Sequence, residues 1–234
     1  MFGYVYGDIK TSGLCLININ VTATSNFAGG IIGELEHGTL ETKNFSLDND
    51  MQVYGNDATG GLVGYANSST IKGDIGDLNF SSIPSPDSFK SNYSGKVSSP
   101  GADGKGTSMG GLVGYALHSY LDHLCFTGSV FGSDRVGGIV GHISGTASIT
   151  HCVNNANIVE NSTNTCTGGI AGKVDFTEGT YTHMINYSNI AGMEQTGGIF
   201  GYIGLETSTT HNLNIQYAVN AGEVSGSQNV GGCV

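Results

Sequence analysis

His123, His151 and His183 are the residues of this chain best suited to metal or proton chemistry, because each stands five positions before a small residue in a recurring segment. If that segment repeats in space the imidazoles stack, and a stack of imidazoles can bind a transition metal or form a pH-sensitive stripe. No acidic or cysteine partner accompanies them at a fixed spacing, so they read as a solvent-facing polar ladder, and no metal is expected. Tyr65, Tyr115 and Tyr202 form a second row, with His142 in the equivalent slot and with Glu34 and Lys173 interrupting it. Aromatic rows stabilise adjoining strands by roughly 0.2 to 1 kcal/mol per pair. The alternative is a glycan-stacking stripe that meets sugar rings with apolar faces and hydroxyl tips.

Catalysis has little to work with. Hydrolysis of a glycosidic bond needs two carboxyl groups flanking the substrate, and a lyase needs a strong base with cation support. Asp122 and Asp134 lie near His123 but recur in no pairing with it. Gly106-Thr107-Ser108-Met109-Gly110 matches a nucleophile-elbow pattern in form only, since no strand-to-helix context surrounds it. A His-Glu-x-x-His helix is absent. The chain is therefore read as non-catalytic and without a cofactor.

These residues sit between copies of a pentad, Gly-Gly-apolar-apolar-Gly. It reads Gly29-Gly30-Ile31-Ile32-Gly33, Gly60-Gly61-Leu62-Val63-Gly64, Gly110-Gly111-Leu112-Val113-Gly114, Gly137-Gly138-Ile139-Val140-Gly141, Gly168-Gly169-Ile170-Ala171-Gly172 and Gly197-Gly198-Ile199-Phe200-Gly201, with an incomplete Gly231-Gly232-Cys233-Val234. Successive copies start 31, 50, 27, 31, 29 and 34 residues apart. A period near thirty residues marks a solenoid in which no unit buries its apolar face alone. The pentad glycines are assigned to a corner, where they would permit positive φ and close backbone approach. A phosphate-cradling role is not supported, because no helix pattern or Lys-Ser/Thr follows them.

A companion segment fixes the unit. Gly128-Ser129-Val130, Ala156-Asn157-Ile158, Ser188-Asn189-Ile190 and Gly222-Glu223-Val224 share a small, a polar and a β-branched residue. Two positions earlier stand Phe126, Asn154, Asn186 and Asn220, and one before those Cys125, Val153, Ile185 and Val219. Such alternation, punctuated by glycine, predicts short strands and no long helix. The expected fold is all-β: a single-stranded parallel β-helix, a right-handed β-solenoid with one rung per repeat of about 30 residues. Like residues then stack about 4.8 Å apart. Asn154, Asn186 and Asn220 are expected to form a structural amide ladder.

The pentad resembles the GLUG motif, best at Gly60 to Gly64 and Gly110 to Gly114, and the segment Val219 to Gly226 is similar to what separates such motifs. The resemblance covers residues 27 to 234. It implies an extracellular solenoid of a cell-surface or secreted protein, without catalytic residues of its own, in adhesin-like or other surface-attached chains. Residues 1 to 26 depart from the pattern and are expected to be a degenerate first rung or a cap. All three prolines fall at 84, 86 and 100, so a surface insertion is expected at about 81 to 107.

Composition constrains partners. With a net charge of -11 and only 8 Lys and Arg, a phosphate-backbone partner is not expected. No apolar run is long enough to span a membrane. Met1 to Tyr6 lacks the charged head and apolar core of a secretory signal, and the last pentad is incomplete, so the segment is expected to belong to a longer chain. Five cysteines, an odd number without metal-like spacing, argue against a disulfide framework. Cys125 and Cys233 occupy apolar slots and are expected to be buried, and Cys125 and Cys152 to lie one position out of register. Sequons occur at Asn20, Asn44, Asn67, Asn79, Asn92, Asn161 and Asn186; they would carry glycans only in a secreted eukaryotic protein, and Asn186 falls on the inward ladder. The remaining partners are surface glycans or matrix proteins, or a second copy joined end to end.

Overall fold

A computed structural model describes residues 1–43, 46–47, 50–75, 78–88, 92–99, 107–159, 165–205 and 213–234. The chain winds as a β-solenoid of about six turns, about 31 residues apart. Every strand pairing among the described residues is parallel and joins one coil to the next, as in Val63↔Val113, Val113↔Val140, Val140↔Ala171 and Ala171↔Phe200. The one helical element described is a short 3-10 turn, Pro86–Ser88.

Each coil follows the same itinerary. A first strand leaves the pentad (Ile32–Glu36, Val63–Asn67, Val113–Leu117), and a second follows after a bend (Thr39–Lys43, Thr70–Lys72, Tyr120–Asp122). In two later coils these merge into the bent strands Val140–Asn154 and Ala171–Asn186. A short third strand such as Cys15–Leu16 or Cys125–Phe126, a fourth such as Lys96–Ser98 or Ser129–Phe131, and a fifth such as Ser108–Gly110 or Val136–Gly137 return the chain to the next pentad. The bends are made by residues in the left-handed region: His37, Ser68 and His118 at the first, and His123, His151, His183 and Tyr217 at the second. That conformation is uncommon outside glycine, and histidine is among the types that tolerate it.

Inside, like stacks on like. Leu35, Ala66, Ala116, Ile143 and Val174 form one row, and Val53, Val97, Val130 and Ile158 another, all buried. Burying each large aliphatic side chain is worth about 1.5 to 3 kcal/mol. Polar rows occur where backbone would otherwise go unpaired. Asn154 Nδ2 donates to Asn186 Oδ1 at 2.8 Å, and Asn186 Nδ2 to Asn220 Oδ1 at 2.8 Å. Each Oδ1 also accepts a backbone N–H two residues on, from Ala156, Ser188 and Gly222. The amide ladder is therefore structural, and it excludes a glycan at the buried Asn186. The sequence reading missed a second buried row at the first bend, where Ser69 Oγ donates to Leu35 O and Ser119 Oγ to Ala66 O.

The pentad works by crowding. The carbonyl of Leu62 accepts N–H groups from both Ile31 and Ile32, that of Leu112 from Leu62 and Val63, and the pattern continues to Cys233. A Cβ on Gly138 would lie well inside 3.0 Å of the Asn154 amide and the Gly169 carbonyl, and one on Gly169 would meet Asn186 and Gly198 in the same way. The expected positive φ is not found: Gly7, Gly13, Gly95 and Gly145 have it, and no pentad glycine does. Close approach alone excludes a side chain there, because the opposite strand and the next coil already fill the space.

Residues 1–26 form a first coil rather than a cap of another kind, since Phe2–Tyr6, Ile9–Ser12, Cys15–Leu16 and Asn20–Ala23 all pair in register with the second coil. The expected insertion is divided. Lys96–Ser98 belongs to the coil, Val97 pairing with Val53 and Val130 in the core. The excursion that precedes it places Ile75, Leu78 and Phe80 against the outward apolar row Cys125, Val153, Ile185 and Val219, and Tyr187 Oη donates to the Pro84 carbonyl. Pro100 lies outside the described residues.

All five cysteines are free. Cys125 pairs in register with Val153, leaving Cys152 one position off and on the other face, within the main core. Burial pushes the Cys125 thiol up to about 12. Cys233 is exposed, contrary to expectation, because the coil that carries it is packed on one side only in this structure. Asn20 and Asn79 are exposed and Asn67 is half-buried. Asn92 lies in the short strand Asn92–Tyr93, while Asn44 and Asn161 lie outside the described residues.

The crowding at the pentad can be measured directly. Gly138→Ala should lower unfolding free energy by about 2 to 4 kcal/mol, whereas Gly3→Ala, where an added Cβ meets nothing within 4 Å, should change it by less than about 0.5 kcal/mol. Urea denaturation of the two variants reads the difference, and equal effects would show that the corner is not space-limited.

Candidate functional site

The second bend brings the three histidines together. His123 and His151 stack with ring centroids 4.4 Å apart, His151 and His183 at 4.7 Å, and Tyr217 continues the row at 4.7 Å. Phe80, from the excursion, meets the edge of this row at His183. An acidic partner is present that spacing did not reveal. Asp122 Oδ1 lies 2.7 Å from His123 Nδ1 and 3.3 Å from His151 Nδ1, and accepts the Thr150 hydroxyl at 2.6 Å. Burial raises the Asp122 pKa, but the hydrogen bonds from Thr150 and His123 outweigh it and hold the carboxyl below its ordinary value. Asp122 serves two coils because its neighbours in the next coil, Thr150 and His151, are stacked on it and His123.

The tyrosine row is also in register. Tyr4, Glu34, Tyr65, Tyr115, His142, Lys173 and Tyr202 occupy one position on successive first strands. Phe27 stacks on Tyr65 at 4.7 Å, Tyr65 meets Tyr115 at 5.3 Å, and Tyr115 lies nearly parallel to His142 at 4.5 Å. Neighbouring rings thus cover the faces of Tyr65 and Tyr115. Tyr202 differs: Lys173 Nζ lies 5.5 Å from its centroid, and the ring borders a recess of about 290 Å³ with Asp134, Arg135, Thr165, Cys166 and Gln195.

Charges in this region are paired. Lys173 Nζ contacts Asp175 Oδ2 at 2.6 Å, His142 Nε2 lies 3.1 Å from the same oxygen, and Arg135 pairs with Asp134 at 3.3 Å. Burial, aided by Arg135, pushes His142 down to about 4 against the opposing pull of Asp175. His142 is therefore a neutral imidazole whose Nε2–H donates to Asp175. Of this group the sequence marks His142, Lys173 and Tyr202 as a row and Asp134 as a carboxylate candidate; Asp175 and Arg135 belong to no row that repetition would expose.

The two carboxylates considered for catalysis are not brought together, since Asp134 engages Arg135 and Thr165 and Asp122 engages the histidines. Ser108 is buried within a strand and forms no elbow. No helix among the described residues is long and apolar enough to cross a membrane. No protein-family model, curated protein or solved structure matches the chain.

His142 makes stability depend on pH in a definite direction. An unfolded chain takes up a proton near 6.5, the ordinary value for histidine, while the folded chain withholds it until about 4, so stability is greatest above that upper value and falls as pH drops. Between the upper value and about pH 5, above the range of ordinary carboxylates, the loss should approach 2 kcal/mol. His183, also lowered by burial and by His151, acts in the same direction. Urea unfolding of wild type and His142→Gln across this window should show a steeper pH slope in wild type; identical slopes would reject the assignment.

Proposed function

We propose that this chain is a non-catalytic repeat segment of an extracellular protein, attached to a cell surface or secreted, in which it serves as a rigid stalk. The observation that carries the reading is the uninterrupted coil-to-coil pairing from Phe2–Tyr6 through Phe200–Leu205. Six rises of about 4.8 Å give a rod about 29 Å long, stiffened on every face. Resemblance of its pentads to the GLUG repeat supports export and surface attachment. A surface of Ser, Thr and Asn with few charges supports a spacer solvated by neutral groups.

Two specific features favour secondary roles. The recess beside Tyr202 offers a ring with hydrogen-bonding neighbours, which suits adhesion to surface glycans or matrix proteins. The first coil exposes Phe2, Tyr4 and Tyr6 along an outer strand, which suits end-to-end assembly into a filament.

Sedimentation over a wide concentration range, together with a glycan array, separates the three. The stalk reading expects a monodisperse particle and no saturable glycan signal, with Tyr202→Ala indistinguishable from wild type. Saturable binding lost in a folded Tyr202→Ala variant would replace it with adhesion. Concentration-dependent growth suppressed by Tyr4→Lys would replace it with assembly.

A further inference from the structure

The second bend gathers metal-ligating groups that a spacer does not require. We propose that Asp122, His123 and His151 form a binding site for a divalent first-row transition metal ion that ties two successive coils together. The carboxylate and the two imidazoles each offer one ligand atom, and all three atoms lie within 4.8 Å of one another.

Two ligands of a tetrahedral zinc ion, each bonded at about 2.0 to 2.1 Å, stand about 3.3 Å apart. Asp122 Oδ1 already lies 3.3 Å from His151 Nδ1, and 2.7 Å from His123 Nδ1. Admitting the ion therefore requires His123 to withdraw by about half an ångström, and, since both Nδ1 atoms donate to the Asp122 carboxylate, each imidazole must carry its hydrogen on Nε2 instead. The donor set of two imidazoles and one carboxylate suits Zn²⁺, Co²⁺ or Ni²⁺ and not the oxygen-seeking Ca²⁺ or Mg²⁺. The side chains of His123, Asp122 and His151 are 18%, 24% and 27% exposed, which lets an ion enter and leaves its remaining positions to water.

Thr150 keeps the carboxylate oriented by its hydroxyl, as outer hydrogen bonds commonly do for metal ligands. Lys72, whose Nζ lies 3.9 Å from the second carboxylate oxygen, faces the site; its side chain is half exposed and can turn outward. His183 stacks on His151 but engages the Thr182 hydroxyl through Nδ1, and so stands outside the set.

Titration of the whole chain with Zn²⁺, followed by calorimetry, tests the site, and Cys15→Ser with Cys233→Ser removes the two exposed thiols as competitors. One ion per chain is expected, with binding weakened roughly tenfold or more in Asp122→Asn and in His151→Gln. If either variant fails to fold, imidazole proton resonances in the chain with both histidines intact decide the matter. Zn²⁺ must shift those of His123 and His151 and spare His37 and His118. Absence of saturable binding, unchanged affinity in folded variants, or shifts confined to other histidines would overturn the proposal.

Discussion

Everything in this solenoid depends on the space denied to side chains at the pentad corner. There the backbone of one coil, a carbonyl of the next and a ladder residue such as Asn154 or Asn186 meet so closely that a single added carbon cannot fit. The reward is an unusual hydrogen-bond arrangement in which one carbonyl accepts two consecutive N–H groups from the preceding coil. Because that arrangement recurs, the height and angular position of each coil are set at one corner, and the aliphatic, amide, serine and aromatic rows fall into line behind it. The Asn ladder joins the same corner from the inside, saturating amides that would cost about 1 to 3 kcal/mol each if left unpaired.

What repetition carried was legible in the sequence. The pentads, the apolar rows and the Asn154–Asn186–Asn220 ladder could be aligned because each coil restates them, and parallel stacking turns alignment directly into contact. What appears once was less legible. The sequence marks Asp122 beside His123 but not its contact with His151 in the next coil, and it does not mark Asp175; each organises a cluster, because a bend or a strand face brings singular residues beside repeated ones. Lys96–Ser98 was absorbed into the insertion because the prolines around it dominate the composition, while only register with Val53 and Val130 shows that it belongs to the coil. Residue type alone points to glycine for positive φ. In the structure histidines carry much of it, freeing glycine for the place where volume decides.

The bends are where this fold can host chemistry. Strand interiors are committed to the rows, and Tyr65 and Tyr115 already lie face to face with Phe27 and His142. A left-handed residue turns its side chain away from the core and lets it meet the coil above, so His123, His151 and His183 form a column outside the apolar interior.

The excursion after the second strand of its coil has a consequence for the order of events during synthesis. Ile75, Leu78 and Phe80 come to rest on residues of four later coils, and Pro84 is held by Tyr187, 103 positions downstream. The strap therefore emerges from the ribosome long before its landing surface has been wound, and it must remain undocked while those coils assemble. Once seated, it staples early and late coils across a distance that nearest-neighbour stacking cannot reach, so the array ceases to behave as independent rungs and acquires a cooperativity that spans them.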